Sequence, residues 1–232
     1  MCVDMSREKL LLKISGKIVN PDNPEIIARY ADTIKKLVDE GKRIAVVVGG
    51  GQYSRAYIKC AKALGLNNAQ ADMIGIEIAR VNALLLAYAL GDYAYTPIPR
   101  SVEDVQRAWS SNKVVVVGGL QPGQSTAAVA AVVAETLGIG KMLYATDVDG
   151  VYDKDPKRFS NAKKLSVVSI DELVNFMSQR YEAGGYELLD PIAIQIIRRS
   201  CIEVIVFNGF ETSNVEKVLR GESIGTKIVP CK

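Results

Sequence analysis

Histidine is absent from all 232 residues. That excludes a Ser-His-Asp triad, a Cys-His pair, a histidine general base and a histidine-ligated zinc. The four cysteines, Cys2, Cys60, Cys201 and Cys231, include no Cys-x-x-Cys pair, which argues against a thiolate metal site or a thioredoxin-like centre. Their wide scatter fits reduced thiols in a cytosol better than a secreted disulfide scaffold. Charge of one sign is missing too. With 29 Lys and Arg against 26 Asp and Glu, the net charge is only +3, and basic residues cluster no further than pairs such as Lys35-Lys36 and Lys163-Lys164. No nucleic-acid surface is expected. Long hydrophobic runs are lacking as well: Ala83 to Leu90 and Ala127 to Ala134 hold eight residues each, far short of a membrane span. Leu10-Leu11-Leu12 before Lys13 is too short for a signal-peptide core. The expectation is a soluble, cytoplasmic chain without a membrane or nucleic-acid partner. Its chemistry must rest on Lys, Arg, Asp, Ser, Thr, Tyr and backbone amides.

Apolar residues make up 48% and charged residues 24%, ordinary values for a globular protein. The length fits one large domain or two closely joined halves. Strand and helix patterns alternate. Lys9 to Ile14 reads as an apolar strand, and Asn23-Pro24 starts a helix with Ile26, Tyr30, Ile34 and Leu37 on one face. Ile44 to Val48 and Val114 to Val117 are β-branched runs without alternation, as in strands covered on both faces. A helix from about Asp72 carries Ile74, Ile78, Val81, Leu85 and Tyr88 on one face. An Ala/Val-rich helix follows Ser125-Thr126, and Met142 to Ala145 is another strand. Later segments predict a strand at Val167-Val168, helices from Ser169 and Asp190-Pro191, and a strand from Val204 to Phe207. A helix over Val215 to Leu219 and a strand near Lys227 to Val229 close the series, with Gly184-Gly185 unassigned. Such alternation predicts a mostly parallel sheet with helices on both faces and ligands at the strands' carboxyl ends.

Three strands run into glycine-rich turns: Ile14-Ser15-Gly16-Lys17, Val48-Gly49-Gly50-Gly51, and Val117-Gly118-Gly119 continuing to Thr126. Glycine admits close approach of an anion, and a following helix N-terminus favours negative charge. One such turn means little, but three at one sheet edge, with Lys13, Lys17 and Arg55 nearby, point to a polyphosphate site. Gly118-x-x-x-x-Gly123-Gln124-Ser125 has P-loop spacing but Gln124 in place of the essential lysine, so a P-loop NTPase is rejected. Gly49-Gly50-Gly51 lacks the last glycine of a dinucleotide fingerprint. Asp147-Val148-Asp149-Gly150 lacks the third oxygen of a calcium loop and reads as a turn before Tyr152. Asp190 reads as a helix N-cap, Asp72 as another cap or a ligand contact, and Arg80 as a solvated face residue. Lys13 resists a bland reading, because an uncompensated ammonium at the end of an apolar strand is costly.

Taken together, Leu11-Leu-Lys-Ile-Ser-Gly-Lys17, Val46-Val-Val-Gly-Gly-Gly51 with Arg55, and Ala145-Thr-Asp-Val-Asp-Gly-Val-Tyr152 with Lys154-Asp-Pro156 resemble the amino-acid-kinase superfamily. Asp72-Met-Ile-Gly-Ile76, Arg80-Val-Asn82, Gly118 to Thr126 and Leu189-Asp-Pro191 narrow the resemblance to the UMP kinase family, archaeal type. It implies a three-layer αβα fold, with an acceptor-binding half over residues 1–140 and an ATP-binding half over 141–232. It also implies a homohexamer and magnesium-dependent transfer from ATP to UMP. Carried over by position, Lys13, Lys17 and Arg55 would be catalytic. Gly16, Lys17, Gly51, Arg55, Thr146, Asp147, Tyr152 and Asp155 would bind ATP. Gly50, Asp72, Leu120, Gln121, Pro122, Gly123, Gln124, Ser125 and Thr126 would bind UMP, while no protein ligand is assigned to magnesium. Two positions depart from the pattern: the family often has Asn where Asp147 stands, and Leu120 replaces a polar residue of some relatives. Related readings are an acetylglutamate or isopentenyl phosphate kinase, the latter disfavoured by the missing acceptor histidine, and a non-catalytic nucleotide sensor, disfavoured by Lys13 and Lys17.

Overall fold

The computed structural model describes residues 7–154, 159, 161–178 and 188–230. Cys2, Asp155, Gly184, Gly185 and Cys231 lie outside the described residues. Element order is β1 (Lys9–Ile14), α1 (Pro24–Asp39), β2 (Arg43–Val48), α2 (Gly51–Ala63), α3 (Asn68–Leu90), α4 (Val102–Trp109), β3 (Val115–Val117) and α5 (Thr126–Leu137). It continues with β4 (Lys141–Thr146), β5 (Val167–Ser169), α6 (Ile170–Ser178), α7 (Pro191–Arg199), β6 (Glu203–Asn208), α8 (Ser213–Leu219) and β7 (Thr226–Val229). The seven strands form one sheet in the order β3-β2-β1-β4-β6-β7-β5. The first five run parallel, while β7 pairs antiparallel with β6 and parallel with β5.

Alternate strand residues build two cores, which makes the three layers. Leu10, Leu12, Ile14, Ile44, Val46 and Val48 pack with α1, α3 and α8. Leu11, Ala45, Val47, Val115, Val117, Met142 and Tyr144 pack with α4, α5, α6 and α7. Continuous β-branched runs are therefore what a doubly covered sheet requires. Local chemistry sets the ends of the helices. Pro24 occupies the first turn of α1, Ser125 caps α5 through the amides of Ala127 and Ala128, and Gly138 ends α5 in the left-handed region.

α3 departs from expectation in two ways. It begins at Asn68, because Asn67 and Gln70 form a reciprocal capping box, so Asp72 lies inside the helix and caps nothing. The apolar stripe read from sequence is its outer face: Ile74 and Ile78 are half-buried, and Val81, Leu85 and Tyr88 are exposed. The buried side is Ala71, Gly75, Ile76, Ala79, Ala83, Leu86, Ala87 and Leu90. Small residues there let α3 lie close to its neighbours, and Gly75 faces Ile58 and Ser54 of α2. Residues 68–93 are long and apolar enough to cross a membrane by length and composition, holding an 18-residue stretch of mean hydropathy 1.6. Half of that 18-residue stretch is buried, and the helix carries Asp72, Glu77 and Arg80, as a core helix can.

α4 was not legible as a helix. Ser101 caps it, accepting from the Asp104 amide, and Val105, Ala108 and Trp109 are its buried face. Cys201 is disulfide-bonded, which corrects the expectation of reduced thiols throughout. Cys60 is free and exposed.

Candidate active site

The parallel strands β1, β2, β3 and β4 end at one edge, and the glycine turns leave from it. The ladder extends past the strands: Gly49 donates its amide to Ile14 O (3.0 Å), Ser15 to Ala145 O (2.9 Å) and Gly209 to Thr146 O (2.8 Å). The turns after β1, β2, β4 and β6 are thus held in register by backbone bonds. The first two touch. A Cβ on Gly16 would overlap Gly49 O and Gly51 N, and a Cβ on Gly51, at φ +64°, would overlap Gly16 O. These glycines are required by two chain segments crossing at backbone distance. Buried Asn20 fixes the first turn from beneath, donating to Gly16 O at 3.0 Å. Asp22 latches it to the start of α2 by accepting from Gln52 (2.7 Å) and Tyr53 (2.5 Å).

Lys13 is the last inward residue of β1 on the α5 side, only 4% exposed. Its ammonium lies over the Tyr144 ring, 4.1 Å from the centroid, the cross-strand neighbour that the parallel register supplies. Burial lowers its pKa from 10.5 to about 7, while attraction to Asp147 opposes the fall. Among the described residues Lys13 forms no ion pair. A ring face is a weak substitute for a carboxylate, so the site favours an arriving anion. Lys17 is ion-paired with Asp147, whose other oxygen accepts from Thr146 Oγ1 at 3.2 Å. Thr146 is buried at the end of β4.

The acceptor residues expected from sequence gather around α3 and α5. Asp72 accepts the Gly123 amide at 2.9 Å, tying α3 to the third turn across 51 positions. Gly118 and Gly119 lie against the α3 backbone and Ile76; a Cβ on Gly118 would stand 2.6 Å from Arg80 N. Ser125 donates to Asp190, and Asp190 caps α7 through Ile192 N (2.9 Å) and Ala193 N (3.0 Å). The N-termini of α5 and α7 therefore converge. Thr126 faces the second turn, its Oγ1 3.2 Å from where a Cβ on Gly49 would stand. Leu120 is half-buried, Gln121, Pro122 and Gly123 are exposed, and Gln124 is half-buried. Arg55 is exposed on the second turn of α2, and Gly50 precedes that helix.

Tyr152 sits apart in a bridge with Lys164, beside a cavity of about 180 Å³ lined by Asp149, Lys164, Asn208, Asn214, Ser223, Ile224 and Gly225. Sequence reading missed Asn208, although it is the β6 partner of Thr146 at the same edge. It also missed Asn82, buried in α3 and donating to Gly49 O at 3.0 Å. Arg80, read as a possible surface residue, is buried. No cluster of three or more Asp, Glu or Cys residues converges as a metal site among the described residues.

A doubly wound sheet with a buried lysine and touching glycine turns at its carboxyl edge defines a phosphate-handling transferase architecture. Residues 8–208 match the amino acid kinase family, and the chain belongs to it. It is 46% identical to the uridylate kinase of Sulfurisphaera tokodaii over 96% of this chain and 99% of that one. It is 45% identical to that of Hyperthermus butylicus over 97% and 99%. The crystal structure of uridylate kinase from Archaeoglobus fulgidus superposes with TM-score 0.85 at 36% identity, covering 95% of this chain and 100% of that one. At 24% identity, UMP kinase from Bacillus anthracis shares the fold, with TM-score 0.80 over 96% of each chain.

Proposed function

We propose that the chain transfers the γ-phosphoryl group of ATP to UMP, giving UDP and ADP in pyrimidine nucleotide synthesis. The observation that carries this reading is Lys13: a buried amine, held at low pKa by desolvation, at the sheet edge where the first two glycine turns touch. In-line phosphoryl transfer needs alignment and charge neutralisation rather than an enzyme nucleophile, so a chain without histidine is adequate. ATP lies along Gly16, Lys17, Gly51 and Arg55, with its nucleoside toward Thr146, Asp147, Tyr152 and the adjoining cavity. Arriving phosphates draw Lys17 from Asp147 and restore full charge to Lys13. UMP lies against Gly50, Asp72 and residues 120–126, in the half formed by 1–140. Lys13, Lys17 and Arg55 stabilise charge on the transferring group.

Mg²⁺ is the expected cofactor. A hard divalent cation takes oxygen ligands and keeps several waters, so the donor set that fits it is the nucleotide's phosphate oxygens and water, with no protein ligand assigned. When bound it neutralises phosphate charge.

The chain works in the cytoplasm as a homohexamer. Support for assembly comes from α3, where Val81 (54% exposed), Leu85 and Tyr88 (67%) continue an apolar face that is left open among the described residues. Exposed contiguous apolar surface marks association.

The test is a coupled ADP-release assay across UMP, CMP, acetylglutamate, carbamate and isopentenyl phosphate, with Mg·ATP saturating. UMP should give the highest kcat/KM. Preference for a non-nucleotide acceptor would overturn the reading.

A further inference from the structure

Arg80 lies in the fourth turn of α3 and is only 7% exposed, unusual for a side chain that ordinarily keeps its head in water. Four of its five guanidinium N–H groups are spent on protein. Nε donates to Gly119 O (3.0 Å), Nη2 to Leu120 O (3.3 Å) and Arg100 O (3.4 Å), and Nη1 to Glu77 Oε1 (2.5 Å). Gly118 permits this approach by lying directly on the α3 backbone. Because C=O and N–H point in opposite directions across a trans peptide plane, fixing the carbonyls of Gly119 and Leu120 also fixes two amides. Those of Leu120 and Gln121 are turned away from Arg80. Neither amide has an acceptor among the described residues.

We propose that Arg80 is a positioning residue for the phosphoryl acceptor: it holds two carbonyls from behind so that the Leu120 and Gln121 amides are presented to acceptor oxygens. The proposal rests on the reading that residues 120–126 receive the acceptor. A buried cation behind the turn also adds favourable potential for an anionic ligand, and three carbonyls on one planar fork give a rigidity that a lysine cannot reproduce.

The experiment measures steady-state kinetics of Arg80→Lys, Arg80→Ala and, as a probe of the turn itself, Thr126→Ala, each with a thermal melt. Arg80→Lys should raise the KM for UMP roughly tenfold or more, as loss of charge-assisted hydrogen bonds implies, with the ATP KM within about twofold. In Arg80→Ala, millimolar guanidinium should lower the UMP KM again and methylammonium should not, a response that a purely structural role would not produce. An unchanged UMP KM in Arg80→Lys beside a raised one in Thr126→Ala overturns the role of Arg80 alone. If both are unchanged, the acceptor-loop reading falls too. Should the Arg80 variants fail to fold, Glu77→Ala decides, since Glu77 is half-exposed and anchors one guanidinium nitrogen. A rise confined to the UMP KM supports the proposal, and no rise, or an equal rise for ATP, overturns it.

Discussion

Replacing Lys13 with methionine should destroy turnover and stabilise the nucleotide-free fold. Methionine keeps the length of the side chain while removing its charge. The depression of the Lys13 pKa from 10.5 to about 7 arises first from burial. At about 1.4 kcal/mol per pH unit it corresponds to about 5 kcal/mol of cost for the charged form in the folded state. Between pH 7 and 10.5 the unfolded chain binds a proton here that the folded chain does not, so wild-type stability rises with pH across that window. From pH 7 to 9 the gain is about 2 kcal/mol, or roughly 4–8 °C in Tm for a chain of this size. Below pH 7 both states are protonated and the full penalty remains. Calorimetry of both proteins without nucleotide should find the variant more stable at pH 7, with its advantage shrinking by that amount at pH 9. The variant cancels every other titrating group, so parallel Tm-against-pH curves would refute the assignment.

Binding of ATP near pH 8 should take up close to one proton as phosphates recharge Lys13; calorimetric titration in buffers of different ionisation heat reads it, and Lys13→Met should abolish it. Gly16→Ala should lose activity and several degrees of Tm together, because its Cβ meets the Gly49 backbone and neither segment can move without breaking the ladder. Asp147→Asn should weaken the hold on Lys17, tightening binding of the polyphosphate in direct titration by about threefold to tenfold, since the ion pair that ATP must break is only partly buried. Looser binding would show that a direct contact of Asp147 with the nucleotide outweighs the release of Lys17.

Much of this was legible in the sequence because burial on both faces leaves a plain record. The strands from Lys9 to Ile14 and Ile44 to Val48 carry no alternation because helices cover both sides, and helix ends at Pro24, Ser125 and Asp190 follow from local capping alone. What failed was α3. Its periodic isoleucine, valine and leucine positions outweighed alanine and glycine at the opposite positions, although small residues are what close packing on α2 and the glycine turns selects. Periodicity reports an apolar face without saying what covers it. Arg80 and Asn82 were missed for a related reason: apart from Glu77, their partners are carbonyls, at 100, 119 and 120 and at 49–50, and backbone acceptors leave no trace in residue identity.

The glycine turns carry the remaining lesson about mechanism. Sequence reasoning placed glycine there to admit a phosphate, and that chemistry can be met by one open turn. The structure gives Gly16, Gly49 and Gly51 a prior task, since each lies against another's backbone and brings the ends of β1 and β2 into contact. Close approach of those ends brings the β1 turn that carries Lys17 against the start of α2. The same logic operates at Gly118, where contact with the α3 backbone lets Arg80 reach the carbonyls beyond it. In both places a missing side chain fixes the position of a cation. The glycines therefore set where the lysine and the arginine stand, and substitutions there should be read as displacements of charge as much as losses of space.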